Sequence, residues 1–378
     1  MFLPTPQPYP RGATEVNLAL HIGLVGPLPP PNGGMANQTR QLAELLRQEG
    51  LAVSIVQTNA DYQPRWVAQI PMVRALFRLI PYLHSLWNLA GRCDLIHVMA
   101  NSGWSWHLFA APAIWMAKLR NVPSVVNYHG GEAEAFLENS IRTVRASLRQ
   151  SAALIVPSAF LEAVFSRFGL NAQIVPNTID TEHFHNLRPH RERRRQLLVS
   201  RNLEPIYDNE TAIRAFSIVR QTYPDAQLTI AGSGPQAELL TALVQALELG
   251  DSVSFVGRLD PDEMAHAYRE ADISINPSRV DNMPVSILEA MASGTPVVST
   301  AVGGVPFLVE DRKTALLVPP GSPEAMADAI KQIMEDASLA DCLAANGLQE
   351  VQKYTWPKTW PLLAAVYQNA CTASTLAR

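Results

Sequence analysis

The sequence has little cysteine and no long apolar segment, and both absences narrow the class of protein. Its 378 residues include only three cysteines, Cys93, Cys342 and Cys371, which are scattered and show no metal-ligand spacing. Such sparse cysteine is typical of a reducing compartment. No run of 18 apolar residues is free of charge, and residues 1–15 are proline-rich and polar. We therefore expect a cytoplasmic protein with no spanning helix and no signal peptide.

The motifs of several enzyme classes are also missing. The chain has no HExxH, P-loop or G-x-S-x-G motif and no His/Cys cluster, so metalloproteases, P-loop NTPases and serine hydrolases of these types are excluded. A formal net charge of −4 argues against a general nucleic-acid partner. Hydrophobic residues, in contrast, are abundant. They make up 47% of the 378 residues, which is enough to form the cores of two domains of ordinary size.

Short apolar runs alternate with helical patterns along the whole chain. We predict strands in the first half at residues 16–26, 51–56, 94–100, 123–128, 153–157 and 173–176, and in the second half at 197–200, 227–231, 252–256, 273–276, 296–299 and 315–318. Strands that alternate with helices indicate an α/β fold with doubly wound parallel sheets. We predict two Rossmann-like domains that face a cleft, residues 1–185 and 186–355, followed by a tail at 356–378.

Two segments of the first half have a different pattern. Residues 65–92 are apolar but contain arginines, and Pro71 and Pro81 interrupt them, so we predict an amphipathic helical pair. Its aromatic residues and arginines suit the interface of an anionic membrane, but they equally suit a helix pair that covers the sheet with its arginines in water. Residues 104–119 are apolar on all sides and predict a buried helix.

Residues 273–300 predict a strand, a loop, a helix, a turn and a second strand. Pro284 suits the first turn of the helix, and Gly294 suits its end. Two carboxylates remain, Asp281 before the helix and Glu289 inside it, with seven residues between them.

The start of this helix is a predicted anion site. The backbone around Met283, Pro284 and Val285 lies at a helix N-terminus, where N–H groups have no helical partner. Backbone amides for a diphosphate, beside carboxylates for sugar hydroxyls, suit a nucleotide-sugar. Two solvated acids in an ordinary strand–helix–strand unit are the simpler interpretation of the acids alone.

The stretch resembles the donor-site signature of the retaining family-4 glycosyltransferases, which have the GT-B fold. Glu289-Ala290-Met291-Ala292, Gly294 and Pro296-Val297-Val298 carry the resemblance, whereas Asp281 stands where the family usually has Glu. The resemblance implies transfer of a sugar from a nucleotide-diphosphate-sugar to a hydroxyl acceptor with retention, in polysaccharide or cell-envelope glycan synthesis. It also implies that residues 356–378 form a helix crossing back to the first domain.

The resemblance also implies roles for individual residues. Glu289 holds the nucleotide ribose, Asp281 holds hydroxyls of the donor sugar, and Arg201 stabilises the leaving diphosphate. The family usually carries Lys about five residues after this arginine, but no lysine lies between Arg201 and Lys313. Arg279 is a candidate for the missing charge, with an ordinary surface arginine as the alternative.

Two glycine motifs and one further arginine complete the predicted donor site. Gly33 and Gly34 follow the first strand, where the chain passes close to a ligand or only turns. In AGSGPQAE, Gly232 and Gly234 with Ala237 match a dinucleotide fingerprint, but the motif opens the second βα unit of its half and lacks the acidic ribose partner. We therefore interpret it as a turn beside the donor diphosphate. Arg258, after the strand at 252–256, is a further candidate for donor binding.

His129, at the end of a strand and before Gly130-Gly131, resembles the first-domain catalytic histidine of the family. His107 is the alternative, and we expect it to be a core residue. Glu132 and Glu134 bind acceptor hydroxyls or cap the next helix. Asp260 and Asp262 form a D-x-D pair, but their place at a helix start predicts capping, so we expect no metal and no cofactor.

The predicted partners are a nucleotide-sugar donor, a carbohydrate or lipid-linked glycan acceptor and an anionic membrane surface, with no nucleic acid. A peripheral place at the inner face of the membrane is consistent with this set. Two alternatives stay open at this point. One is a nucleotide-sugar epimerase of the same fold, and the other is a weakly active donor-binding subunit, which Asp281 and the missing lysine suggest.

Overall fold

The computed structural model describes residues 20–30, 33–60, 71–186 and 194–376, without the side chains of 71–76 and 374–376. The predicted strand residues 16–19, residues 65–70 of the predicted helical pair, and residues 188–193 of the arginine-rich segment RPHRERRR (188–195) lie outside this part. The chain forms two compact units. Unit 1 comprises Met1–Pro157, Glu162–Val175 and Thr359–Arg378, and unit 2 comprises Ser158–Leu161 and Pro176–Lys358.

Unit 1 contains a six-stranded parallel sheet with the strand order β2-β1-β3-β4-β5-β6. Its strands are β1 (His21–Gly26), β2 (Ala52–Gln57), β3 (Leu95–Ala100), β4 (Ser124–Tyr128), β5 (Ala153–Val156) and β6 (Gln173–Ile174). Every residue of β3 and β4 is buried, as in parallel strands covered by helices on both faces. Its helices are α1 (Gly34–Gln48), α2 (Pro71–Ala90), a π-helix (Trp106–Ala110), α3 (Ala111–Leu119), α4 (Ala133–Leu148) and α5 (Ala159–Arg167).

Unit 2 contains a second six-stranded parallel sheet, with the order β12-β11-β10-β7-β8-β9. Its strands are β7 (Gln196–Val199), β8 (Gln227–Ala231), β9 (Val253–Gly257), β10 (Ile273–Asn276), β11 (Val297–Thr300) and β12 (Leu316–Val318). The helices are α6 (Asn209–Thr222), α7 (Ala237–Ala246), α8 (Pro261–Glu270), α9 (Val285–Ala292), α10 (Val305–Leu308), α11 (Pro323–Glu335) and α12 (Ala337–Val351), together with two 3-10 turns, Pro205–Tyr207 and Gln352–Tyr354. The last helix, α13 (Trp356–Leu376), begins in unit 2 and continues into unit 1. The predicted α/β class with parallel sheets is confirmed.

The strand order reverses once in each sheet. In unit 1 the chain passes from β1 to β2 on one side and then returns to place β3 on the other side of β1. In unit 2 the same reversal places β10 beside β7. Open α/β sheets bind ligands at the carboxyl ends of the strands next to such a switch point. The loops after β7 and β10 are therefore the first place to look for a site in unit 2.

Two helix predictions for the first half were wrong in part. The described part of the expected helical pair is one helix, α2, which continues through Pro81. Proline in a helix interior removes one backbone hydrogen bond, and the helix tolerates this loss here. The expected buried helix is a π-helix followed by α3, and it exposes large side chains, since Trp104 is 77% exposed and Leu119 68%.

The last helix contributes to the core of unit 1. Thr359–Arg378 belong to this unit, although the chain reaches them from unit 2. Within unit 1, the Tyr367 hydroxyl lies 2.8 Å from Nδ1 of the fully buried His97 on β3. In the part of the chain that is described, no helix is long and apolar enough to cross a membrane.

Candidate functional site

The two loops at the switch point of unit 2 bring together the strongest predicted site residues. Arg201 lies two residues after the end of β7, and Asp281 lies in the loop between β10 and α9. Because β7 and β10 are neighbours in the sheet, both loops leave the same edge. Arg201 and Asp281 form an ion pair there, and their side chains are only 11% and 12% exposed.

The Arg201 guanidinium is held from several sides. Its Nε donates to Asn276 Oδ1 at 2.8 Å, and its Cζ lies 5.0 Å from the centre of the Tyr207 ring. Burial lowers the pKa of Arg201, while Tyr207, Tyr268 and Glu289 oppose this shift. An arginine fixed in this way is a preorganised positive charge, which can receive negative charge without having to move.

Asn276 was not predicted, although its place at the carboxyl end of β10 was a usable signal. Its Nδ2 donates to Ser299 Oγ at 3.0 Å, which leaves Oδ1 to accept from Arg201 and from the Ser278 hydroxyl at 2.8 Å. Asn276, Ser278 and Ser299 are all buried at this edge of the sheet. The network therefore fixes the amide orientation and, through it, the guanidinium of Arg201.

Glu289 lies on α9, one turn inside the helix. Its Oε2 accepts from the Tyr268 hydroxyl at 3.0 Å, and that hydroxyl lies 2.6 Å from Ser200 Oγ. Burial raises the pKa of Glu289 to about 7, against the opposing effects of Tyr268 and Arg201. The carboxyl therefore titrates near neutral pH. Tyr268, buried on α8, is a second residue that the sequence analysis missed, since nothing in its helix marks it.

The loop before α9 is fixed by its backbone. Pro284 directly precedes the helix as its N-cap residue, one position earlier than predicted, and no side chain caps this end. The Met283 carbonyl accepts from Asn177 Nδ2 at 3.2 Å, and the Asp281 carbonyl accepts from the Gly304 N–H at 2.9 Å. The first helical residue is Val285. Gly294 follows the helix with a φ of 68°, as its predicted role at the helix end requires.

The glycines of the two motifs differ in what surrounds them. A Cβ on Gly232 would lie 2.1 Å from the Arg201 carbonyl oxygen, and one on Gly234 would lie 2.3 Å from that of Leu203. Close packing of the loop after β8 against the loop after β7 therefore requires both. Gly33 is the N-cap residue of α1 and Gly34 its first residue, and a Cβ on either would meet nothing within 4 Å. Arg258 directly follows β9, and its side chain is exposed.

In unit 1, His129 directly follows β4, as predicted. Its N–H donates to the Ala100 carbonyl at 2.9 Å, which joins the ends of β3 and β4. Burial lowers the pKa of His129 to about 4, so the ring is neutral at pH 7. His107 lies in the π-helix and is only partly buried, with its ring 6.3 Å from that of the exposed Trp104. His107 is therefore not the fully buried core residue that we expected.

Of the four acidic residues at two helix starts, Glu134, Asp260 and Asp262 have structural partners. Glu132 is the N-cap residue of α4 without a side-chain capping bond, and Glu134 pairs with Arg167 at 2.7 Å. Asp260 accepts from the Glu263 N–H at 2.9 Å in a reciprocal capping box on α8, as predicted. Asp262 lies 2.7 Å from His183 Nε2. Over the described residues, no group of three or more His, Cys, Asp or Glu is arranged to hold a metal ion.

Two family profiles match adjoining parts of the chain, which together span residues 32–350. Residues 32–183 match the profile described as Glycosyltransferase Family 4, and residues 180–350 match that of Glycosyl transferases group 1. The chain is a family-4 glycosyltransferase. This glycosyltransferase is 25% identical over 367 residues to a phosphatidyl-myo-inositol mannosyltransferase of Mycobacterium leprae, covering 90% of this chain and 94% of that protein.

Solved structures of the same fold extend the comparison. A sucrose-phosphate synthase from Thermosynechococcus elongatus matches with a TM-score of 0.78 at 24% identity, over 93% of this glycosyltransferase and 99% of that chain. The Anabaena protein HepE, crystallised in complex with UDP, matches with a TM-score of 0.70 at 18% identity, over 92% and 99% of the two chains. The glycosyltransferase therefore has the GT-B fold, and the predicted family, fold and enzyme class are confirmed.

Proposed function

We propose that this glycosyltransferase moves a sugar from a nucleotide-diphosphate donor to a hydroxyl acceptor, and that the donor binds at the switch-point edge of unit 2. One observation carries the proposal: Arg201, nearly buried and held by Asn276, pairs with Asp281, which lies in the loop just before α9. A fixed guanidinium with helix N–H groups is a binding site for phosphate oxygens. Glu289, one turn along α9, is available for ribose hydroxyls.

The proposed chemistry needs no protein nucleophile. Arg201 and the amides around Met283 and Val285 receive the charge that develops on the leaving diphosphate, and Asp281 binds hydroxyls of the donor sugar. His129, neutral at pH 7, contributes a hydrogen bond to the sugar instead of a proton. The acceptor hydroxyl attacks from the face that the diphosphate leaves, which retains the anomeric configuration, and the leaving phosphate takes the proton. We also propose that no divalent metal is required.

A donor panel tests this proposal. The protein is incubated with UDP-, GDP- and ADP-sugars, with and without candidate acceptors, in the presence of chelator and again with magnesium or manganese. We expect one nucleotide class to turn over, only with acceptor, equally well in chelator, and to give a product with the donor's anomeric configuration by NMR. Release of free nucleotide without any acceptor would favour the epimerase, and an inverted product would exclude retention.

We further propose a lipid-linked glycan acceptor, with the protein peripheral at an anionic membrane, in polysaccharide or cell-envelope synthesis. The whole chain has a formal net charge of −4, but the segment from residue 62 to residue 131 is basic. It contains six Arg and Lys residues and a single acid, Asp94. Helices α2 and α3 of this segment expose large apolar side chains, Ile80, Trp87, Trp115 and Leu119. Exposed aromatic and basic residues together favour binding to an anionic lipid surface.

Co-sedimentation with liposomes tests the membrane proposal. We expect binding to anionic but not neutral liposomes at low salt, and its loss at high salt, because each basic residue near the surface contributes about 1 kcal/mol that salt screens. Trp115→Ser with Leu119→Ser should weaken binding, whereas the matched control Leu239→Ser, which changes an exposed leucine of unit 2, should not. A protein that stays in the supernatant with anionic liposomes at low salt would favour a soluble acceptor.

A further inference from the structure

Two ion pairs of opposite direction join the loops after β7 and β10. In one, Arg201 of the β7 loop pairs with Asp281 of the β10 loop. In the other, Arg279 of the β10 loop donates through Nε to Asp208 Oδ2 of the β7 loop at 2.9 Å. The Arg279 N–H also donates to the Ile206 carbonyl at 2.8 Å, so the two loops are joined by backbone as well.

Asp208 is a fixed anchor for Arg279. Its side chain is 4% exposed, and the same Oδ2 that binds Arg279 accepts from the Thr211 hydroxyl at 2.8 Å. Its backbone has a φ of 45°, in the left-handed region that side chains seldom adopt and that Asp tolerates better than most. The residue directly precedes α6, so helix and loop together set the place of its carboxylate.

The other end of Arg279 faces solvent. Its side chain is 61% exposed, against 11% for Arg201, and its bond to Asp208 uses Nε and not the terminal nitrogens. The guanidinium is thus held through Nε at one edge, and its opposite edge, formed by the two Nη groups, takes no part in this bond. A guanidinium can bind two phosphate oxygens through this second edge.

The edge holds two arginines, and each has one carboxylate partner. Arg201 pairs with Asp281 and Arg279 with Asp208, so Arg279 differs from Arg201 in the exposure of its side chain and not in the net charge of its pair. In related enzymes a lysine of the loop after the first strand of the donor domain is the expected second cation, but Ile206, Tyr207 and Asp208 occupy that region here. Arg279, which comes from the neighbouring strand's loop, contacts this region at Ile206 and Asp208.

We propose that Arg279 binds the diphosphate of the donor beside Arg201, in place of the absent lysine, and that Asp208 is the residue that positions it. This inference rests on the proposed donor class. It also assigns a role to Asp208, which anchors a cation that arrives from another loop.

Calorimetric titration with UDP, GDP and ADP, and with the nucleoside and monophosphate of the base that binds best, tests this inference. Arg279→Ala should weaken binding of the diphosphate about tenfold or more and leave nucleoside binding unchanged, because only phosphate contacts are lost. Arg279→Lys should restore part of the affinity. The matched control Arg214→Ala removes an exposed arginine of α6, paired with Glu210 at 2.8 Å, and should change nothing.

A double-mutant cycle tests the role of Asp208. Asp208→Asn should weaken diphosphate binding in the wild-type background but have no further effect in Arg279→Ala, because the anchor acts only through the arginine. A loss that persists in Arg279→Ala would show that Asp208 acts on the loop as a whole and would overturn its positioning role.

The outcomes separate this inference from the proposed function. If the wild type binds a nucleoside diphosphate and Arg279→Ala binds it equally well, the role of Arg279 is overturned while the donor class stands. If the wild type binds none of the three diphosphates, the donor class is wrong and the role of Arg279 is overturned with it. Thermal melting of each free variant confirms that it is folded, which the exposed position of Arg279 favours.

Discussion

The switch-point edges of the two units differ in how their polar residues are held. In unit 2 the edge carries full charges, and each has a fixed partner: Arg201 with Asp281, and Arg279 with Asp208. In unit 1 the corresponding edge carries a neutral histidine, His129, and exposes Trp104. This difference agrees with the proposed roles, a diphosphate site in unit 2 and a hydrogen bond from His129 to the donor sugar in unit 1.

The glycine motifs at these edges show the same contrast. Gly232 and Gly234 are needed because neighbouring backbone leaves no room for a Cβ, whereas Gly33 and Gly34 have open space around them. The same sequence signal therefore has two physical causes. In unit 2 the glycines allow two loops to pack, and in unit 1 neither packing nor a left-handed backbone explains them, which favours the predicted close approach of a ligand.

The largest effect should come from removing the central charge of unit 2. Arg201→Ala leaves Asp281 and Glu289 without their nearest cation and removes the main acceptor of charge from the leaving group. We expect turnover to fall by about 10³-fold, as for other preorganised electrostatic groups. Steady-state rates with the nucleotide-sugar that turns over in the donor panel measure it, with Arg214→Ala as the control. A loss smaller than that caused by His129→Gln would reverse the proposed contrast between the units.

The second effect concerns Glu289 and pH. Ribose hydroxyls donate to an ionised carboxylate, but below its raised pKa of about 7 Glu289 carries a proton in the free protein. Donor binding should therefore release a proton, and affinity should rise with pH up to about 7 and then level off. Glu289→Gln should weaken binding about 10- to 100-fold at pH 8 and abolish this pH dependence.

Calorimetry in buffers of different ionisation enthalpy measures the released proton directly. At pH 6 the apparent binding enthalpy of the wild type should change with the buffer, while that of Glu289→Gln should not. Equal buffer dependence in both proteins would assign the proton to another group, and pH-independent binding in the wild type would show that Glu289 is already ionised.

The two glycine motifs offer a third test. Gly232→Ala forces a Cβ against backbone and should destabilise the fold by roughly 2–4 kcal/mol. Gly34→Ala should leave stability unchanged or raise it slightly, since Ala at a helical position is favoured, yet lower turnover. Thermal melting and donor turnover of both variants measure this. A Gly34→Ala variant with full activity would remove the ligand explanation for the glycines of unit 1.

The smallest effect should be that of His129. Since its pKa is lowered to about 4, the ring is neutral from pH 5.5 to 8 and contributes one hydrogen bond. We expect His129→Gln to lower turnover three- to tenfold with nucleoside diphosphate affinity unchanged. Apart from the change caused by ionisation of Glu289, the turnover rate of the wild type should not depend on pH between 5.5 and 8. A second pKa near 6.5 that vanishes in His129→Gln would show that the histidine transfers a proton.

Sequence reasoning performed well where the signal is local. The strands were predicted to within a few residues because runs such as 227–231 and 273–276 contain several apolar or β-branched residues and are followed by Gly or Pro. Arg201 and His129 were placed at strand ends for the same reason. The helix boundary at Pro284 was missed by one residue, since proline suits both the position before a helix and its first turn.

The partners across loops could not be predicted. Arg201 and Asp281 are 80 residues apart in the chain, and Arg279 and Asp208 are 71 apart, so only the order of strands in the sheet brings them together. The hydroxyl of Tyr268 and the amide of Asn276 belong to an ordinary helix and strand by composition. The helix through Pro81 shows the same limit, because tertiary contacts of α2 outweigh a local preference to break.

The return of the last helix to unit 1 has a consequence for the order in which the protein is made. A ribosome that has synthesised residues 1–175 has not yet produced Thr359–Arg378, which belong to the same unit. Until then, His97 at the centre of the first sheet lacks Tyr367, its hydrogen-bond partner, and the part of the core that Trp360 and Leu363 fill stays open. Unit 2, almost continuous in the chain, can close its core first, so the N-terminal half is the last to be completed.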